Sequence, residues 1–123
     1  MAKKKILIIE DDKSLVNLIK DAINPKKYEV VLALEAKEGS SKAITENPDI
    51  ILLDILLPEE DGFACLRYLK DHPKTAKIPV IILSNLGQDE EIRKGIELGA
   101  KDYLVKADSS IDDIMQKVEK YIN

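Results

Sequence analysis

Asp54 is the residue with the most chemical meaning. It closes the run Ile50-Ile51-Leu52-Leu53, four large aliphatics in a row. Such a run reads as a strand buried on both faces. A carboxylate next in line is costly unless the strand ends there and a cation meets it. Pro58 and Asp61-Gly62 follow, so the chain turns away. Asp54 is thereby placed at the carboxyl end of a central strand, the edge where ligands collect in open parallel sheets. Three other largely apolar runs end in the same manner. Ile6-Leu7-Ile8-Ile9 leads into Glu10-Asp11, Val80-Ile81-Ile82-Leu83 into Ser84, and Tyr103-Leu104-Val105 into Lys106.

Parallel strands bring these polar ends to one side. Three carboxylates close together repel, at about 4 kcal/mol for a pair 4 Å apart at a partly buried site. The cluster must take up a proton or bind a cation. An all-oxygen set with few protein ligands suits Mg²⁺. Each acid taken singly is better explained as part of a solvated rim. Lys106 could be only an ion-pair partner of Asp54, and Ser84 only a turn cap. Gathered at one edge, they support a sharper chemistry, with Asp54 a nucleophile taking a phosphoryl group. Mg²⁺, the Lys106 ammonium and the Ser84 hydroxyl would each attend one phosphoryl oxygen.

The elements that must position these residues alternate strand and helix five times. Leu15, Leu18, Ile19, Ala22 and Ile23 predict a first helix, stopped by Asn24-Pro25. A strand at Val30-Val31-Leu32-Ala33-Leu34 and a weaker helix through Ala36, Ala43 and Ile44, closed at Asn47-Pro48, follow. Phe63, Leu66 and Leu69 give the third helix, which carries Cys65 as a small core residue and ends at His72-Pro73. Ile92, Ile96 and Leu98 line the fourth, with Asp89, Glu90 and Glu91 in its first turn and Gly99 past its end. The last helix carries Ile111, Ile114, Met115, Val118, Tyr121 and Ile122, capped by Asp108, Ser109 or Ser110. Strand spacings of roughly 20–30 residues fit βαβ crossovers. The expected fold is a three-layer, doubly wound α/β domain with a five-stranded parallel sheet in the flavodoxin-like order 2-1-3-4-5.

A chain of 123 residues fits one domain, and 34% charged with 45% hydrophobic residues is a globular balance. The net charge of −4 argues against nucleic acid as a direct partner. Lys3-Lys4-Lys5 is a solvated lead-in to the first strand, and Ile6 to Ile9 is too short for a signal peptide or membrane span. One cysteine allows no internal disulfide, and the expected location is cytoplasmic.

At this point the residues resemble a known family, the receiver domains of bacterial response regulators. The likeness is carried by Glu10-Asp11 after Ile8-Ile9, by Pro48-Asp49 through Asp54, by Pro58 with Asp61-Gly62, by Ile82-Leu83-Ser84 and by Gly99 through Lys106. One receiver domain over residues 1–123 is expected, with nothing left over for an output domain. The resemblance implies that Asp54 accepts phosphate from a phosphohistidine on a sensor kinase or phosphotransfer protein. Glu10, Asp11, Asp54 and the Leu56 backbone carbonyl would hold Mg²⁺, and Ser84 and Lys106 would bind the phosphoryl group. Tyr103 would be an aromatic switch that moves inward as Ser84 shifts; on residue type alone it is a packed or half-exposed aromatic. The face of the fourth helix, fifth strand and fifth helix would meet a downstream protein or a second copy. No enzymatic turnover is implied beyond slow self-dephosphorylation.

Three departures from the family pattern carry expectations. Ala107 follows Lys106 where relatives have proline on a cis bond. A cis bond without proline costs about 2.5–4 kcal/mol, so a trans 106–107 bond is expected. Asn85 follows Ser84 where alanine is common, and its bulk would narrow the approach to Asp54. Leu56 and Leu86 stand where some relatives carry polar side chains that orient water, which implies a long-lived phosphorylated state. Three other functions compete. A flavin carrier would need a phosphate-binding loop after the first strand, where Glu10-Asp11-Asp12 would repel phosphate. An aspartate-nucleophile phosphatase would need a second acid where Leu56 stands. A degenerate receiver would serve only as a docking surface. His72 is expected as a helix cap, and Glu59, Glu60 and Asp61 as a solvated loop.

Overall fold

The computed structural model describes residues 2–57 and 60–122. Five strands form one parallel sheet: β1 (Lys4–Ile9), β2 (Tyr28–Ala33), β3 (Ile50–Leu53), β4 (Val80–Ser84) and β5 (Asp102–Val105), in the order β2-β1-β3-β4-β5. Helices α1 (Lys13–Ala22), α2 (Ala36–Glu46), α3 (Gly62–Asp71), α4 (Asp89–Glu97) and α5 (Ile111–Ile122) connect and cover it. The expected doubly wound α/β fold and strand order are therefore present.

Strand side chains alternate between two cores. Ile6, Ile8, Ile50, Leu52, Ile81 and Leu83 meet α1 and α5 on one face. On the other face Leu7, Ile9, Ile51, Leu53, Val80 and Ile82 meet the buried residues of α2 and α3 and the inner side of α4. Central strands β3 and β4 are buried at every position, which is why they read as unbroken aliphatic runs.

Local chemistry sets the element ends. The Asp12 carboxylate accepts from the N–H groups of Ser14 and Leu15 and starts α1. Asn47, at φ 49°, ends α2 in the left-handed conformation. Asp61 caps α3 through the Phe63 N–H, and His72 closes it, as expected. Of the three candidate caps for α5, Ser110 has the role: its hydroxyl accepts from Asp113 N–H, and Asp113 reaches back to the Ser110 N–H.

Some expectations shift. The buried stripe of α1 is Val16, Ile19 and Ile23, whereas Leu18 is 55% exposed. Leu34 lies outside β2 and is exposed. In α4, Ile96 is 45% exposed and the buried position is Gly95. Leu56-Leu57 and Glu60-Asp61 form a two-residue antiparallel ladder, and Glu60 and Asp61 are exposed as expected of a loop. Pro58 and Glu59 lie outside the described residues. No helix among the described residues is long and apolar enough to cross a membrane.

Candidate functional site

The last rungs of the sheet place the acids. Glu10 N–H donates to Ala33 O at 2.9 Å and Asp54 N–H to Ile9 O at 3.0 Å, one residue beyond the ends of β1 and β3. Both side chains sit at the carboxyl edge and are almost sealed, Glu10 at 2% and Asp54 at 4% exposure. Asp11 stands beside them, exposed to solvent. A carboxylate oxygen from each of Glu10, Asp11 and Asp54 lies within 4.8 Å of the others, a group that could hold a metal ion.

Lys106 enters from the end of β5 as the chain turns through a short 3₁₀ segment, Lys106–Asp108. Its ammonium stands 2.7 Å from Glu10 Oε1 and 2.9 Å from Asp54 Oδ2. The remaining oxygens are held by backbone. Asp12 N–H donates to Glu10 Oε2 at 3.1 Å, and Leu56 N–H to Asp54 Oδ1 at 2.9 Å. One ammonium thus serves two buried carboxylates, with a third acid at the rim. Burial pushes the Glu10 carboxyl up to about 7, against the Lys106 and Asp12 hydrogen bonds that pull it down; the Asp54 charge adds to the rise. For Lys106, burial acts downward, yet the hydrogen bonds and charges of Glu10 and Asp54 together outweigh it and hold the amine above its ordinary value. Surplus negative charge in an all-oxygen cluster is the chemistry that a hard divalent cation relieves.

Ser84 ends β4 fully buried, and its Oγ accepts from the Leu86 N–H at 3.3 Å. Tyr103 pairs with Ile82 across β4 and β5 and is packed in the core at 8% exposure. Its hydroxyl donates to the Leu86 carbonyl. Burial, then the charges of Glu91 and Asp54, raise the phenol above its ordinary value. Of packed and half-exposed, the two states its residue type allows, Tyr103 is packed.

A cleft of about 410 Å³ opens beside Lys106, its mouth lined also by Asp12, Ser14, Leu15, Leu18, Asn85 and Ala107 and by none of Glu10, Asp11 and Asp54. Asn85 is exposed at this mouth. The Lys106–Ala107 bond is trans, as expected without proline. A larger groove of about 590 Å³ runs between α2 and α3 past Ser40, Cys65 and Tyr68, and none of the site acids lines it.

The sequence placed Glu10, Asp11, Asp54, Ser84 and Lys106 at one edge, and the structure puts them there. Leu56 contributes an N–H to Asp54, and its side chain is 51% exposed. Two features escaped sequence reasoning. Glu10 shares Lys106 with Asp54, and only the longer glutamate side chain hinted at that reach. The Leu86 backbone links Ser84 to Tyr103, and no side-chain type signals a main-chain bridge.

The "Response regulator receiver domain" family profile matches residues 6–119. Response regulator PleD of Caulobacter vibrioides is 38% identical over 111 residues, which cover 90% of this chain and 24% of that protein. The Francisella response regulator 1452 receiver domain superposes with a TM-score of 0.86 at 32% identity, covering 98% of this chain and 97% of that one. The Mn(2+)-bound form of response regulator Rcp1 matches with a TM-score of 0.79 at 25% identity, covering 96% and 93%. This chain belongs to the response regulator receiver domain family of two-component signalling. It spans about a quarter of the length of PleD.

Proposed function

We propose that the chain is a phosphorylation-operated switch. Asp54 takes a phosphoryl group from a phosphohistidine on a sensor histidine kinase or phosphotransfer protein, and the altered surface is read by another protein. The observation that carries this reading is Asp54 itself: a carboxylate buried to 4% exposure, 2.9 Å from an ammonium, beside two further acids.

In this reading an Asp54 carboxylate oxygen attacks phosphorus in line with the leaving imidazole nitrogen. A P–O bond forms, the P–N bond breaks, and the imidazole keeps the electron pair and takes a proton. Lys106 turns from Glu10 and Asp54 to one phosphoryl oxygen, and Ser84 donates to another in place of accepting from Leu86. Glu10, Asp11, Asp54 and the Leu56 carbonyl would hold Mg²⁺, which when bound neutralises charge on a phosphoryl oxygen. The site's all-oxygen donor set fits that ion, and the manganese-bound relative supports a divalent cation here. Tyr103 would report the change at Ser84 to the face made by α4, β5 and α5, where a downstream protein or a second copy would dock. The chain is a phosphoacceptor with slow self-dephosphorylation rather than a turnover enzyme, and we place this chemistry in the cytoplasm.

The test is intact mass after exposure to a small acyl phosphate donor. One added phosphate that needs Mg²⁺ and disappears in Asp54→Ala is expected. A chain that takes up none from either a small donor or a histidine kinase would be a docking module instead, and repeated hydrolysis of a phosphate ester would make it a phosphatase.

A further inference from the structure

Gly95 lies inside α4, where glycine is a poorer helix former than alanine. Its backbone is not in the left-handed region, so neither a turn nor a cap explains it. What it supplies is space. A Cβ on Gly95 would fall 2.5 Å from Ile82 Cδ1, 3.0 Å from Tyr103 Cδ2 and 3.3 Å from Tyr103 Cε2. Ile82 and Tyr103 are cross-strand partners, so α4 rests on this pair through bare main chain.

The two neighbours can yield differently. Ile82 Cδ1 is the end of a flexible side chain and can turn aside by a rotamer change. The Tyr103 ring is rigid and lies between the helix and the sheet. It sits on β5, the edge strand, so no further strand stands beyond it to block its departure. Leaving would break the hydroxyl's bond to Leu86 O, and Leu86 is also the residue whose N–H occupies Ser84 Oγ. A side chain on Gly95 would therefore press on Tyr103, which is bonded to Leu86, which is bonded to Ser84.

We infer that Gly95 is a positioning residue for Tyr103: the missing side chain lets α4 close on β4 and β5 so that the ring stays in its slot and the Leu86 loop stays tied to it. For its functional consequence this rests on the switch reading above, since it makes the site's coupling to α4 depend on one helix glycine.

The test labels the full-length chain with 3-fluorotyrosine and follows the four tyrosine signals by fluorine NMR, with Tyr103→Phe identifying the one from position 103. In Gly95→Ala that signal should move toward the solvent-exposed shift, and the Leu86 amide should lose about tenfold of its exchange protection. Ile82→Val alone should leave both unchanged, and adding it to Gly95→Ala should not restore them. An unmoved signal with a fully protected Leu86 amide in folded Gly95→Ala would overturn the inference, as would full recovery on adding Ile82→Val. If Gly95→Ala does not fold, Gly95→Ala with Tyr103→Ala should; a double variant that remains unfolded sinks the idea. The same samples are given Mg²⁺ and the acyl phosphate. Wild type taking up no phosphate would defeat the switch reading alone, because the fluorine readout does not depend on it.

Discussion

Ser84 and Tyr103 grip opposite ends of one residue. Ser84 Oγ accepts from Leu86 N–H at 3.3 Å, and the Tyr103 hydroxyl donates to Leu86 O. The Ser84 hydroxyl and the buried phenol are thus joined through main chain. Tyr103→Phe keeps the ring in the core and removes one hydrogen bond. The expected loss is about 0.5–1.5 kcal/mol of stability. It should appear as a lower urea midpoint with an unchanged slope.

Lys106 is the ammonium that Glu10 and Asp54 share. Lys106→Met leaves the two buried carboxylates facing each other. The fold should persist, because Glu10, already pushed up to about 7, can take a proton. Phosphoryl uptake should slow by about a hundredfold or more, the usual consequence of deleting a preorganised charge at a transition state. Time courses of intact mass at fixed donor and Mg²⁺ would measure it. A rate within threefold of wild type would remove Lys106 from the mechanism.

A divalent cation should stabilise the chain. At a hundred times its dissociation constant a native-state ligand adds about 2.7 kcal/mol. Mg²⁺ should therefore raise the melting temperature, a chelator should reverse the rise, and Asp11→Asn should blunt it. Glu10 must shed a proton to join the ion, and its carboxyl sits at about 7. Mg²⁺ affinity should then climb as pH rises toward and past 7, and flatten above it. Affinity that falls with rising pH would contradict this arrangement.

Much of this was legible in the sequence because the fold is written in unbroken aliphatic runs. Strands β3 and β4 are buried at every position, so Ile50–Leu53 and Val80–Leu83 could hardly be anything else. A polar residue just past each run then fixed the site's edge. Helix faces were less legible. In α4 the sequence pointed inward with Ile96, but the close approach to Ile82 and Tyr103 is made by Gly95. A periodicity argument counts apolar side chains and cannot see a position that packs by having none. Glu10 and Lys106 are 96 positions apart by number, and only the register of the sheet decides that their side chains meet at 2.7 Å.

Leu56 and Leu86 bear on how long a phosphoryl group would last. Leu56 is half exposed beside Asp54, and Leu86 packs against the core with its backbone engaged. Neither side chain can hydrogen-bond a water and aim it at phosphorus. The phosphorylated form should survive for many minutes at neutral pH, as followed by the decay of the added mass. Leu56→Gln should shorten that lifetime several-fold. A wild-type lifetime of seconds would mean that another group positions the water.

Asp102 ties α5 to the end of the sheet. Its Oδ2 lies 2.9 Å from Lys117 Nζ and 3.2 Å from the Tyr121 hydroxyl, and its Oδ1 accepts from the Tyr103 N–H at 2.8 Å. Burial acts to raise this carboxyl, but the Lys117 hydrogen bond, the Tyr103 N–H and the Lys117 charge together hold it below the ordinary aspartate value. A depressed acid stabilises the fold at any pH above its unfolded value, and that contribution fades as pH falls through the folded one. Asp102→Asn preserves the shape and the acceptor for Tyr103 while removing the charge. The variant should therefore be less stable than wild type at pH 7, and the gap should close as pH falls past the ordinary aspartate value and through the lowered folded one. Raising the salt at pH 7 should narrow it as well, because the pair is partly exposed. Parallel urea titrations across that pH range decide the matter: a gap that stays constant would assign the role of Asp102 to packing instead of charge.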